Sequence, residues 1–258
     1  MLEVKDLSVT YFTEAEAVSA VSGVSLLVAK GETLGVLGES GSGKSTLALA
    51  LMRLVGYPGK IVKGEIWFKG QDLLKLSEAE MIKIRGARIS MIFQDPFTSL
   101  NPVYSIGDQI AEAIQLHQQV SRREAWSRAK DMLSLVRLDS RRISDYPHQF
   151  SGGMQQRAMI AMALSCRPDL LIADEPTTAL DVTIQADILK LLLELQRDLG
   201  LSIIYITHNF GIIKEVCRRV LVMYKGRVVE EGETLKVLND PKDNYTKSLI
   251  ESLRVLRT

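Results

Sequence analysis

Gly38 to Ser45 reads GESGSGKS, a match to the phosphate-binding pattern G-x-x-x-x-G-K-[ST]. Glycines at 38, 41 and 43 let successive backbone N–H groups turn toward phosphate oxygens, and the helix start that follows adds its partial positive charge. The donors of such a loop come from Gly38, Glu39, Ser40, Gly41, Ser42, Gly43, Lys44, Ser45 and Thr46. Lys44 brings a cation for the β/γ-phosphates, and Ser45 a hydroxyl for Mg²⁺. A Gly-rich turn can arise by chance. Here, though, an apolar run, TLGVL, leads in and a helical run, STLALALMRLV, leads out, which is the strand–loop–helix context the chemistry requires.

A second set of residues could act on the same phosphates. In LLIADEP four apolar residues deliver Asp174 and Glu175 to the end of a buried strand. Two adjacent carboxylates are costly there unless a cation or proton chemistry uses them. Asp174 is a candidate for Mg²⁺, directly or through water, and Glu175 is placed to act as general base on an attacking water. The plainer alternative is a strand ending in a solvated acidic turn. His208 closes the strand IIYITHN, where an imidazole can reach a γ-phosphate; by itself it would read as a surface histidine. Ser151, Gly152 and Gly153 open the helical run MQQRAMIAMAL and form a second anion site of backbone donors and a hydroxyl, or else a tight turn with a capping serine. Two γ-phosphate sites far apart in one chain suggest nucleotide shared across a dimer.

The elements that must position these residues are legible as alternating strands and helices. Strand-like apolar runs occupy 24–28, 33–37, 61–68, 89–93, 170–173, 203–207 and 220–224, and Lys225-Gly226 turns into a partner at 227–231. After Asp181, residues Ile184, Ile188, Leu191, Leu192, Leu195 and Leu199 repeat at helical spacing, and Gly200 closes the helix. Buried runs interleaved with helices predict an α/β core with a largely parallel sheet. The stretch 95–149 differs. It starts with the turn-rich DPFTSLNP and continues as helices; SRRE at Ser121 to Glu124 is a capping-box pattern, with Ala125, Ala129, Leu133 and Val136 on one face. The expected organisation is a single domain over 1–258, its core made by 1–94 and 150–258 and a helical subdomain at 95–149.

Composition excludes several function classes. The 258 residues are 46% hydrophobic, enough for a sizeable core. Lys plus Arg is 32 against 31 for Asp plus Glu, a net charge of +1, which gives no electrostatic footprint for nucleic acid. Cys166 and Cys217 lack CxxC spacing and cannot make a metal centre alone; a reducing compartment suits them better than a disulfide framework. Apolar stretches such as 47–52 and 158–164 fall well short of the roughly 20 residues of a spanning helix, and MLEVKDLSVTYF is not a signal peptide. A soluble chain is expected, with any membrane part supplied by another subunit.

Phe150 followed by SGGMQQR, upstream of LLIADEP, resembles the LSGGQ signature of ATP-binding-cassette (ABC) ATPases. Further motifs of that family occur in order. Tyr11 resembles the aromatic that stacks on adenine, Gln94 the Q-loop glutamine, TALD with Asp181 the D-loop, and His208 the switch histidine. Phe150 stands where the family has Leu, and Met154 where it has Gln. The resemblance implies a P-loop NTPase core with an inserted helical subdomain and an N-terminal antiparallel β region. It implies ATP and Mg²⁺ as cofactors. Lys44, Gln94, Glu175 and His208 would be catalytic, and Ser45, Gln94 and Asp174 would lie at the metal. Tyr11, the loop from Gly38 to Thr46, Ser151, Gly152, Gly153 and Asp181 would touch nucleotide, the loop of one subunit facing the signature of the other.

Within the family, FQDPFTSLNP at 93–102, SGGMQQR and NYTKSL at 244–249 are similar to ATPases of the oligopeptide/dipeptide/nickel import group. That implies transmembrane permease subunits, a second ABC ATPase in a homo- or heterodimer, an extracytoplasmic substrate-binding protein acting indirectly, and a peripheral place at the cytoplasmic face of the membrane. The helical subdomain, with Gln94 at its hinge, would receive a coupling helix of the permease. The sequence ends at Thr258 without the Cys-rich extension of many peptide members, so no iron–sulfur cluster is expected. The alternatives are the ATPase of an ABC exporter, or a soluble ABC ATPase not coupled to import.

Overall fold

A computed structural model describes residues 1–94, 99–178 and 180–255, without the side chains of 252–255. Residues 95–98 of the expected 95–149 insertion and Ala179 of TALD lie outside the described residues. Two compact units emerge, one of 1–77 with 202–258 and one of 78–201.

The first unit begins with an antiparallel sheet. In β1 (Leu2–Phe12) the residues Leu2, Val4, Leu7 and Val9 are buried, and the alternation slips by one between Val4 and Leu7, where Asp6 takes a φ of 49°. β2 (Ala17–Val28) pairs with β1 and starts seven residues ahead of the expected 24–28 run. β3 (Thr33–Leu37) is buried at all five positions and leads through a loop into α1 (Lys44–Leu51). β4 (Gly59–Phe68) pairs antiparallel with β1, and β5 (Gln71–Asp72) with β4.

In the second unit α2 (Glu78–Ile84) precedes β6 (Ile89–Ile92). Then α3 (Ile106–His117) and α4 (Arg122–Leu135) are amphipathic helices, and Ala125, Ala129 and Leu133 are the buried face of α4, as the spacing predicts. Ser121 caps α4 by accepting from Glu124 N at 3.2 Å. The return half of the expected capping box is replaced, because the Glu124 carboxylate bonds Arg128 one turn on. α5 (Gly152–Leu164) leads to β7 (Leu170–Asp174), which pairs parallel with β6 from Ile89↔Leu170 to Ile92↔Ala173. α6 (Val182–Leu199) runs from an Asp181 cap to Gly200, whose φ of 62° ends it.

The chain then returns to the first unit with β8 (Ser202–Thr207), α7 (Phe210–Val216), β9 (Arg219–Tyr224), β10 (Arg227–Glu233), α8 (Thr234–Asn239) and α9 (Asn244–Val255). β3 is parallel to both β8 and β9, and β9 turns back as a hairpin into β10. Strands covered on both faces favour apolar residues along their length, which is why the middle of β3, β7 and β8 reads as a nearly unbroken apolar run. Among the described residues no helix is long and apolar enough to cross a membrane.

Candidate functional site

β3 ends at Leu37 in the core, and the chain must then reverse into α1 within six residues. Gly43, the cap of α1, makes this possible with φ 100° and ψ 3°. A Cβ there would lie 2.2 Å from Ala20 O of β2, so sterics and backbone both require glycine. The loop is braced from two sides: Gly226 N donates to Ser42 O at 3.0 Å, and Ser22 N to Gly226 O at 2.8 Å. Lys44 is 5% exposed, and its Nζ donates to Gly38 O and Glu39 O, both at 2.8 Å, and to Ser42 Oγ at 3.4 Å. A buried ammonium is tolerable with such acceptors. The loop thus holds a fixed positive charge with Glu39, Ser40, Gly41 and Ser45 facing solvent and Thr46 half-buried, an arrangement that can cradle a polyphosphate.

The same unit carries two more predicted residues. His208 is exposed just beyond β8, where Thr207 Oγ1 accepts from Asn209 N at 3.0 Å and Asn209 Oδ1 accepts from Gly211 N at 2.9 Å to cap α7. Tyr11 is half-buried, opposite Val18 and Gly59 on the flanking strands. A Cβ on Gly59 would lie 2.7 Å from Tyr11 Cε1, so the ring lies against that glycine, whereas Phe12 is 48% exposed.

The second unit gathers the carboxylates. Asp174 ends β7 and is 5% exposed. Glu175 follows with a φ of 46°, a left-handed conformation that non-glycine residues rarely hold without a reason. This turn sends its carboxylate to a different place: Oε2 accepts from Thr178 Oγ1 at 2.9 Å and from Gln94 Nε2 at 3.3 Å. Gln94 and Glu175, 81 residues apart, are therefore brought together.

Ser151 caps α5 with extended backbone, and its side chain makes no capping bond. Its exposed hydroxyl and the first-turn N–H groups at Gly152 and Gly153 are the components of an anion site. Sequence reasoning missed what supports it. Buried Gln155 donates from Nε2 to Pro147 O at 2.8 Å and Phe150 O at 3.2 Å, and the Arg142 guanidinium sits 4.6 Å over the Phe150 ring while bonding Gln149 O at 2.9 Å and Met154 Sδ at 3.6 Å. Phe150 and Met154, the two departures from the usual signature, both meet Arg142. The Asp181 carboxylate accepts from Ile184 N at 3.0 Å as the cap of α6.

These pieces can be compared with known proteins. The ABC transporter family model matches residues 21–178, a span that takes in GESGSGKS, Gln94, SGGMQQR and LLIADEP. The chain belongs to the ABC transporter family. This ABC ATPase is 52% identical over 256 residues to a probable peptide ABC transporter ATP-binding protein, y4tR, of Sinorhizobium fredii, covering 98% of the chain and 76% of that protein. It is 49% identical to the oligopeptide transport ATP-binding protein OppD of Bacillus subtilis over 100% of the chain and 73% of OppD. With the glutathione import ATP-binding protein GsiA of Salmonella choleraesuis it shares 50% identity over 98% of the chain, which spans 42% of GsiA. A dimeric post-hydrolysis structure of the ATP-binding cassette MJ0796, bound to ADP and Pi, superposes with a TM-score of 0.82 at 30% identity, over 91% of this chain and 99% of that one. The ABC ATPase therefore has the P-loop NTPase cassette fold with its antiparallel β region and inserted helices.

Gly153 sets how closely the signature helix of the ABC ATPase approaches α6, because a Cβ there would lie 2.6 Å from Ile184 Cγ2. Gly153→Ala is expected to lower unfolding stability by about 1–3 kcal/mol through this overpacking. Ile184→Ala, which removes the opposing methyl, should recover part of the loss, so chemical denaturation of the double variant will be less than additive. Strict additivity would show that α5 does not rest on Ile184.

Proposed function

We propose that this chain is the ATP-hydrolysing subunit of an importer for peptides or a related small solute, working at the cytoplasmic face of a membrane beneath transmembrane permease subunits. The observation that carries the reading is identity of about 50% along nearly the whole chain to three ATP-binding subunits whose names concern peptide, oligopeptide and glutathione transport. A substrate-binding protein outside the membrane would supply the solute to the permeases.

Each site residue then has a role. The loop from Gly38 to Thr46 cradles the phosphates of ATP, Lys44 neutralises β/γ-phosphate charge, and Tyr11 packs on adenine. Ser45, Gln94 and Asp174 would each offer Mg²⁺ a hard oxygen donor of the kind it prefers, and Ser45 is exposed directly beside Lys44. When bound, the ion would supply positive charge against that of the phosphates. Glu175 takes the proton of the attacking water as the new P–O bond forms and the β–γ bridge breaks, giving ADP and phosphate. Gln94 orients Glu175, and His208 donates toward the γ-phosphate. Ser151, Gly152, Gly153 and Asp181 serve the nucleotide of a second cassette, either a copy of this chain or a related one. The proposed division is a core of 1–94 and 150–258 with a helical subdomain at 95–149 that meets the permease.

Reconstitution tests the reading. The chain, assembled with transmembrane permease subunits in vesicles, should hydrolyse ATP faster when binding protein loaded with peptide is added on the opposite face, and peptide should accumulate on the side that bears this chain. Peptide leaving by the opposite route, or ATPase indifferent to permease, would refute it. Gln94→Ala should disturb permease stimulation of turnover much more than ATP binding, since it removes no charge that faces phosphate. Undiminished stimulation would remove Gln94 from the coupling path.

A further inference from the structure

The NYTKSL segment at 244–249 has no part in the roles assigned above, yet it reaches the phosphate-binding loop. Glu39 N donates to the Tyr245 hydroxyl at 3.2 Å, across 206 residues. The Tyr245 ring stacks on Tyr224 with centroids 4.1 Å apart and planes at 26°, and Tyr224 is the last residue of β9, immediately before the turn whose Gly226 bonds Ser42. The Tyr245 backbone is anchored too. Asp243 Oδ1 accepts from Tyr245 N at 2.8 Å, and Glu230 of β10 accepts from Asp243 N at 3.1 Å and from Lys242 N at 2.8 Å. Burial pushes the phenol above its ordinary pKa, so the hydroxyl is neutral at physiological pH.

The peptide unit gripped by Tyr245 has its other end in the site. Glu39 N and Gly38 O belong to one planar amide, and Gly38 O accepts from Lys44 Nζ at 2.8 Å. Rotation of that plane would carry away an acceptor of the buried ammonium. We propose that Tyr245 is a positioning residue of the phosphate-binding loop, its hydroxyl fixing the Gly38-to-Glu39 peptide and through it the Lys44 ammonium. The inference rests on the reading that this loop holds ATP, but on nothing about permeases.

Tyr245→Phe in the purified full chain removes the hydroxyl and keeps the stack. The Kd and KM for MgATP should rise about two- to fivefold, the effect of one neutral, partly exposed hydrogen bond, with kcat within about twofold and an unchanged melting curve. In the nucleotide-free protein the Glu39 amide should exchange its hydrogen faster than in wild type. Asp243→Ala, which frees Tyr245 N while leaving the phenol, should shift Kd the same way. An unchanged Kd in Tyr245→Phe, whether or not the Glu39 amide exchanges faster, overturns the positioning role, as does a fall in kcat at constant KM. Wild-type protein that fails to bind MgATP at all would overturn the reading of the loop itself, which separates the two failures.

Discussion

ATP turnover by the Glu175→Gln protein is expected to fall by about 10²–10⁴-fold while ATP stays bound, the range spanned by loss of a positioned general base. The substitution is nearly isosteric. The Gln amide oxygen can still accept from Thr178 Oγ1 and Gln94 Nε2, which now meet Glu175 Oε2 at 2.9 and 3.3 Å, and the left-handed turn at 175 need not change. What disappears is the capacity to take a proton. The phosphate loop is untouched, so nucleotide affinity should persist and an ATP-bound dimer should accumulate. Phosphate release alongside nucleotide binding and gel filtration reads all three. Hydrolysis within a few-fold of wild type would remove Glu175 from the role of base.

Lys44→Ala should act on the other half of the reaction and raise the Kd for ATP about 10- to 100-fold, as expected for loss of one or two charge-assisted hydrogen bonds. The ammonium is already desolvated, at 5% exposure, and already seated on Gly38 O and Glu39 O, so little further ordering is needed when phosphate oxygens arrive. Lys44→Arg keeps the charge but must fit a planar guanidinium into a buried slot, and it should also bind weakly. Isothermal titration with MgATP measures both. A Kd for Lys44→Ala within twofold of wild type would show that the loop's backbone donors bind ATP without the cation.

The contrast between these variants follows from where each residue sits in the chain. Lys44 seats on carbonyls of its own loop, Gly38 O and Glu39 O, and its place as the cation of that loop was legible from the motif alone. Glu175 acts in company with Gln94, and only folding brings those two within hydrogen-bond reach. β1 shows how a strand can hide: Asp6 at φ 49° inserts a slip into the alternation, so Leu2, Val4, Leu7 and Val9 never share a strict period of two although all four are buried. The capping box at Ser121 shows the reverse. The pattern was right for the cap, but Arg128, one turn further along, took the Glu124 carboxylate by charge.

Sequence alone determined the features governed by local sterics and hydrophobic period. These include the strand–glycine loop–helix around Lys44, the unbroken apolar strands at 33–37, 170–173 and 203–207, and the helix that follows Asp181 with its Gly200 stop. Tertiary structure alone decided what meets those features. Ala20 O stands 2.2 Å from where a side chain at Gly43 would begin, Arg142 covers Phe150, and Tyr245 reaches Glu39 from 206 residues away. A backbone pattern of a few residues is set by torsions and burial within a single element. A contact between distant elements depends on strand order and register, which no short window of sequence contains.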